Sequence, residues 1–264
     1  MPSIPAMESI FLIFLIFLAG LVAGAMNALA GGGSFVSLPA LIAAGVPPVY
    51  ANTSSTVALF PGGLASAWAY RDGLGPVGSV PLRALLVATL CGGLVGAILL
   101  LHTSSAAFAF VLPWLLLIAC VALSFGRRIG AALRARWRIR AGAVLAIQFA
   151  LGGYGGYFGG AVGIMMVAIW GLLDNRDIKH LNAPRTLLVS AANLVAVLAF
   201  IGAQAVRWPE TLAMLAGAIL GGYGGAHLGR RASPAVIRAG TLLATSCITL
   251  AFFVKTYAPM LLHR

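Results

Sequence analysis

Acidic side chains are nearly missing from this chain: 264 residues carry five Asp and Glu against 17 Lys and Arg, a formal net charge of +12. Glu8, Asp72, Asp174, Asp177 and Glu210 fall in loops or at the ends of apolar runs. No span therefore holds the mid-membrane carboxylate on which a proton relay is built. Charged residues of both signs make only 8% of the chain, where a soluble domain carries about a quarter. Cysteine is scarce as well. Cys91, Cys120 and Cys247 stand far apart in apolar runs, which excludes a disulfide framework and a metal motif and leaves small packing residues. Other signatures are absent too: no His/Cys/carboxylate cluster at metal spacing, no phosphate loop ending in Gly-Lys-Ser/Thr, no Gly-x-Ser-x-Gly elbow. Neither an enzyme nor a cofactor is expected. Basic residues without interleaved aromatics also give no reason to expect nucleic acid as a partner.

What fills the chain is apolar: 61% of residues are hydrophobic and the mean hydropathy is +1.02. Repeated apolar runs are long enough to cross a bilayer, so the expectation is an all-α, multi-pass protein of the inner (plasma) membrane with lipid as its surroundings. The 33 glycines and 13 prolines suit that setting, where they permit close helix packing and local unwinding. Residues 1–30 lack the basic n-region of a signal peptide and carry Glu8, so this stretch reads as retained.

Two glycine-rich interruptions organise the chain. The first is Asn27-Ala28-Leu29-Ala30-Gly31-Gly32-Gly33-Ser34; the second runs from Gly152 to Gly163. Each breaks an apolar run, 10–44 and 141–173, into a long arm and a short one. Each is followed by a polar cluster, Asn52-Thr53-Ser54-Ser55-Thr56 and Asn182-Ala183-Pro184-Arg185-Thr186. Three further spans follow in each half: 50–70, 80–101 and 105–125, then 186–206, 210–228 and 234–257. This gives an N-terminal repeat (1–125), a basic cytoplasmic linker (126–140) and a C-terminal repeat (141–264). Gly24 faces Gly153, Gly31 faces Gly160, Asn52 faces Asn182 and Thr56 faces Thr186.

The linker holds Arg127, Arg128, Arg134, Arg136, Arg138 and Arg140, which places it inside. Counting outward from it, with each broken unit returning to its own side, half one starts outside and half two inside. The halves are then inverted repeats, each a glycine-broken helical hairpin plus three spans, as in an alternating-access carrier. Lys255 and Arg264 mildly oppose the outside C-terminus that follows.

Glycine reaches backbone conformations that turn successive N–H groups toward one point. If Ser34 opens a short helix after Gly31, Gly32 and Gly33, the free N–H groups and dipole of its first turn favour an anion. Gly159, Gly160 and Gly163 offer the same arrangement in half two. Asn27, Asn52, Thr53 and Asn182 are candidate directional donors, though amides and hydroxyls here equally serve to cap freed backbone. Arg185 stands in the first turns of an apolar span, where a cation is costly and its donor fork fits an oxyanion; snorkelling to the interface is the competing role. Tyr157 offers a hydroxyl, with packing as its alternative.

These residues carry a family resemblance. Gly24-Ala25-Met26-Asn27-Ala28-Leu29-Ala30-Gly31-Gly32-Gly33-Ser34, Leu38-Pro39-Ala40-Leu41, Gly45-Val46-Pro47-Pro48 and Ala51-Asn52-Thr53 in half one resemble the TauE/SafE family of sulfite-exporter-like permeases. So do Gly155-Gly156-Tyr157-Phe158-Gly159-Gly160-Ala161-Val162-Gly163 and Asn182-Ala183-Pro184-Arg185 in half two. The resemblance covers nearly the whole chain. It implies a permease for small, often sulfur-containing anions such as sulfite, sulfoacetate, sulfolactate or thiosulfate, and leaves the oligomeric state open. Export of such an anion is expected, by uniport or with loose proton coupling, since the membrane potential favours it and no span holds a carboxylate. The family often has Lys where Arg185 stands and Asn where Thr186 follows. An anion channel, a permease for non-sulfur organic anions and a non-transporting membrane subunit are the alternative readings.

Overall fold

The computed structural model describes residues 4–136, 141–170, 181–229 and 234–262. Half one contributes α1 (Ile4–Ala30), α2 (Ser34–Ala43), α3 (Pro48–Ala69), α4 (Leu82–Leu101) and α5 (Ser105–Arg136). Half two contributes α6 (Ala141–Tyr157), α7 (Val162–Trp170), α8 (Asn182–Gly202), α9 (Trp208–Gly229) and α10 (Pro234–Leu262). Helix accounts for the secondary structure of the described residues, apart from an isolated antiparallel bridge between Val77 and Val80. The loop expected over 174–180 lies outside them.

The molecule is apolar on its outside. Phe11, Val87, Leu99, Leu198, Leu220 and Leu243 are all exposed, and segments of α1, α4, α5, α8 and α10 are long and apolar enough to cross a membrane. Lipid, not water, is the solvent such faces require. Helices α3 and α9 have 22 residues each, enough to cross at about 1.5 Å per residue. Their glycines and hydroxyls make them less apolar, and α3 is sheltered by its neighbours: Asn52, Thr53, Ser54 and Ser55 are all buried.

The heaviest packing joins the two halves. Helix α1 lies on α9, and α6 lies on α4. Glycines make both approaches possible: a Cβ on Gly24 would sit 2.1 Å from the Ala218 carbonyl oxygen, and one on Gly221 would sit 1.8 Å from that of Leu21. In the other pair, a Cβ on Gly96 would meet the Gly153 oxygen at 2.0 Å and one on Gly156 the Gly93 oxygen at 2.0 Å. Close backbone contact of this kind is how helices associate in lipid, where burial of apolar surface gives no advantage. Residue numbers rise together along both pairs, so each pair runs parallel.

Two further pairs of counterpart helices, α3 with α8 and α5 with α10, run antiparallel. Along α3 and α8, Ser54 accepts a hydrogen bond from the Arg207 N–H just past the end of α8, Gly63 faces Ser190, and Gly73 beyond α3 faces Ala183. Along α5 and α10, Trp114 Nε1 donates to Tyr257 Oη at 2.9 Å and Cys120 meets Ser246 at 3.4 Å. Because α9 runs beside α1, the meeting of Thr53 and Ser54 with residues 205–207 puts the start of α3 at the end of the bundle where α1 starts. Ala183 beside Gly73, just ahead of α4, likewise puts the start of α8 where α6 starts. Each broken pair thus brings the chain back to its own end.

Two expectations change. Cys91 and Cys247 are exposed on outward faces rather than packed, and Cys120 is half-buried; a thiol is apolar enough to face lipid at no great cost. The basic stretch begins as helix, because α5 continues past residue 125 to Arg136, through Ala, Leu and Arg, which favour helix. Residues 137–140 of the expected linker lie outside the described ones.

Candidate functional site

At the second break, α6 ends in a widened turn. The Phe158 and Gly159 N–H groups both donate to the Tyr154 carbonyl, at 2.9 and 3.3 Å. The Gly155 carbonyl, which Gly159 N–H would meet in a continuing helix, keeps no backbone donor. Gly159 takes φ +80° and Ala161 φ +57°, after which α7 opens at Val162. The Ile164 N–H donates to the Ala161 carbonyl at 3.0 Å, so the N–H groups of Gly160 through Gly163 are the unpaired donors of a helix start. Phe158 folds its ring over Gly160, 2.5 Å from where a Cβ would be. A side chain at that position would have to displace the ring.

At the first break, Gly31 takes φ +74° and its N–H donates to the Asn27 carbonyl at 2.9 Å. Gly33 caps α2, and Ser34 opens it as expected. The Phe35 and Val36 N–H groups turn back to Gly32 and Gly33 at 3.1 and 3.0 Å; those of Gly32, Gly33 and Ser34 have no backbone acceptor. Gly33 is pressed against α1, where a Cβ would sit 2.6 Å from the Ala23 oxygen and 2.9 Å from Asn27 Cβ.

One stretch of α3 touches both breaks. Thr56 Oγ1 lies 3.9 Å from the Cβ position of Gly159, and one turn later Leu59 lies 3.1 Å from that of Gly33. One turn further, the Cβ position of Gly62 is 4.0 Å from Asn27 Nδ2, and that of Gly63 is 3.5 Å from Ser190 Oγ on α8. Asn27, Gly33, Gly159 and α8 are therefore gathered along residues 56–63 of α3, buried at Ala58 and opening to the surface at Pro61 and Gly62.

The polar cluster after the first break is committed elsewhere. Asn52 Nδ2 donates to the Tyr157 carbonyl at 2.9 Å and so caps the end of α6. Thr53 donates to the Ala205 carbonyl as well as to Tyr50. Ser55 pairs with Ser37 of α2, and Thr56 donates to the Asn52 carbonyl at 2.9 Å. Asn52, Thr53 and Ser55 thus pin α6, the loop before α9 and α2 to the first turns of α3, while Thr56 bonds within α3. Tyr157 turns its hydroxyl to Thr103 in the loop after α4, 3.4 Å away, and stacks obliquely on Phe108. Gly31 has nothing within 4 Å of its Cβ position and faces outward.

Arg185 and Asn182 occupy the first turn of α8. The Arg185 stem crosses Gly163 on α7, its Cδ and Cγ both 3.3 Å from that Cβ position. Among the described residues the guanidinium has no ion pair or hydrogen bond; the ion pair found there is Arg71 with Asp72, at 3.8 Å. Arg185 is half-buried, with the Tyr70 hydroxyl within its electrostatic reach. Asn182 is half-buried too, and its carbonyl accepts from Thr186 Oγ1 at 3.0 Å, the bond that Thr56 makes to Asn52 in half one. Along α8, Arg185 and Asn193 are separated by roughly 12 Å at about 1.5 Å per residue.

Three groups were not singled out from sequence. Ser190 Oγ and Asn193 Oδ1 are buried without a hydrogen-bond partner among the described residues. A mid-span amide is a signal a sequence does carry. The third is a closed polar chain: Trp170 Nε1 donates to Gln148 Oε1 at 3.1 Å, and Gln148 Nε2 donates to Thr89 Oγ1 at 2.8 Å. It is fully satisfied and ties the end of α7 to α6 and α4. Among the described residues no three His, Cys, Asp or Glu come together to hold a metal.

Comparison with known proteins gives a consistent picture. The family model described as "Sulfite exporter TauE/SafE" matches residues 16–252. The chain is 26% identical over 259 residues to the probable membrane transporter protein YfcA of Escherichia coli strain K12, covering 97% of this chain and 95% of that protein. A probable membrane transporter protein of Haemophilus influenzae is 28% identical over 210 residues, 79% of this chain and 82% of its own. A third, ORF9 of a Sinorhizobium species, is 27% identical over 214 residues, 80% of each chain. No solved structure matches.

Proposed function

The chain belongs to the TauE/SafE family of membrane transporters, and on that premise we propose that it exports a small sulfur-containing anion, such as sulfite, sulfoacetate or a related sulfonate, by alternating access. The observation that carries this reading is the convergence of both glycine breaks on residues 56–63 of α3. Two helix starts with unpaired N–H groups, against adjacent turns of one helix, favour an anion without a buried counter-charge. Arg185, lying over the start of α7 with no ion pair among the described residues, supplies the fixed positive charge on the path.

The antiparallel pairing of α3 with α8 and of α5 with α10, and the exchange of partners between α1–α9 and α4–α6, support inverted repeats. Such repeats carry alternating access in transporters of this general kind. With the interior negative, leaving the cell is downhill for an anion by about 2.3 kcal/mol per charge per 100 mV. Export then needs no mid-membrane carboxylate, so uniport or loose proton coupling suffices.

The test is flux in proteoliposomes made with the purified protein. Saturable, trans-stimulated movement of sulfite or a sulfonate is expected, and linear ohmic current would replace the carrier by a channel. Arg185→Gln should reduce transport at least tenfold with expression and thermal unfolding unchanged. Wild-type affinity in that variant would remove Arg185 from the path.

A further inference from the structure

Gly62 and Gly63 stand side by side inside α3, where glycine is a poor helix former. Two reasons commonly offset that cost, and neither holds here. Neither residue takes a positive φ. Nor does close packing require them. Among the described residues, the Cβ position of Gly62 meets one atom, Asn27 Nδ2 at 4.0 Å, and that of Gly63 meets one, Ser190 Oγ at 3.5 Å. Both are ordinary contacts, unlike the 2.6 Å at Gly33 and the 2.5 Å at Gly160. What glycine leaves on this stretch of α3 is room for something to approach the backbone.

That room lies in a cleft. Helices α1 and α8 both pack on α3 and hardly on each other. Gly62 turns toward α1 and Gly63 toward α8, about 100° apart around α3. Pro61 and Gly62 are exposed at its mouth, and Ser190, 5% exposed, lies at its floor. Two polar groups border the cleft, one from each half. The Asn27 amide makes no hydrogen bond among the described residues, and Ser190 Oγ is buried without a partner there. Other helical hydroxyls of this chain behave differently: Thr89, Thr186, Thr245 and Thr249 each donate to the carbonyl four residues earlier. Ser190 stands four residues after Thr186, makes no such bond and turns its hydroxyl to Gly63. An amide N–H and a serine O–H are both donors, and a buried hydroxyl with no acceptor calls for one.

We propose that Asn27 and Ser190 are substrate-contacting residues that clamp an oxyanion between α1 and α8, over the bare backbone of Gly62 and Gly63. The clamp is made of neutral donors, each meeting a different oxygen of the anion. Arg185 leaves α8 about 7.5 Å earlier along its axis and crosses Gly163 on α7, so it serves a separate, charged station on the path. The inference rests on the anion reading proposed above.

The purified full chain is titrated with sulfite, ethanesulfonate and acetate, and the tightest-bound of the three is carried through the variants. Ser190→Ala and Asn27→Ala should each weaken binding about tenfold, the worth of one hydrogen bond to a charged group, with the unfolding temperature unchanged. Gly62→Ala gives a readout that a structural role would not move in this way. It should raise the unfolding temperature, because alanine is the better helix former, and still weaken binding, because its methyl takes the anion's place. Gly63→Ala repeats that reading on the α8 side should either donor variant lose its thermal transition. Wild-type affinity in both glycine variants, or in both donor variants, would mean that lipid or water fills the cleft and would overturn the inference. If Arg185→Gln weakens binding while these four do not, the anion reading stands and the clamp alone falls. Binding of acetate alone would replace the sulfur-containing anion of that reading, with the clamp judged by the same variants. Binding of none of the three by wild type would overturn the anion reading and the clamp with it.

Discussion

At the first break the chain turns on one left-handed glycine, Gly31, with open space around it; at the second it turns on two left-handed residues, Gly159 and Ala161, inside a ring of polar groups. Break one is closed by apolar neighbours and the packed edge of α1. Break two has its last α6 carbonyl capped by Asn52 from the opposite half, and it faces Thr56 and Asn193. The same device, a helix interrupted by glycine and folded back, thus serves in one half mainly as a tight turn and in the other as a polar recess. Asn27 is the polar side chain that break one brings to α3, beside Gly62.

Substitutions at the two breaks should separate these roles. The largest effect is expected from Gly33→Val. Its Cβ would land 2.6 Å from a backbone oxygen of α1, and backbone cannot yield as a side-chain tip does. Overpacking of this kind costs about 3 kcal/mol, read as a marked fall in thermal unfolding temperature in detergent; an unchanged transition would mean that the fold of α2 against α1 is not needed. Next comes Asn52→Ala, which leaves the part-buried Tyr157 carbonyl without its donor. A loss of about 1–3 kcal/mol is expected, together with weaker anion binding, because break two loosens. If binding is untouched, the cap and the recess are independent. The smallest effect has the opposite sign. Ala161→Gly removes the penalty of a Cβ at φ +57° and should stabilise by about 0.5 kcal/mol after the added chain entropy of glycine. A destabilised variant would show that the Ala161 methyl, in a buried residue, contributes more by packing than it costs by strain.

Much of this architecture is written in the residues. Apolar length marks the spans, and glycine with a following polar cluster marks both breaks, including the start of α2 at Ser34. What the sequence does not carry is which oxygen meets which hydrogen across more than a hundred residues. Asn52 and Asn182 match in the alignment of the halves, yet Asn52 is used on Tyr157 and Thr53 on Ala205, because the first turns of α3 happen to meet the end of α6 and the loop before α9. Glycines four apart at Gly20 and Gly24, and at Gly217 and Gly221, announce close-packing faces, but spacing alone does not pair one face with the other. Asn193 was visible as an amide deep in an apolar run; its lack of a partner is a property of the fold.

The exchange of partners between the halves also sets an order of assembly. Helix α1 leaves the ribosome ahead of the other helices described, and the glycine-lined face it presents fits α9, which follows only after seven more helices have been made. Until then that face meets lipid, where two helices can approach each other only by excluding acyl chains. Helix α4 waits a shorter time for α6. The α4–α6 pair is thus available during synthesis before the α1–α9 pair, and the α1–α9 pair closes only once α9 has emerged. Truncating the chain before α9 would leave the first helix permanently without its seat, while the second break, with Asn52 already in place, could still form.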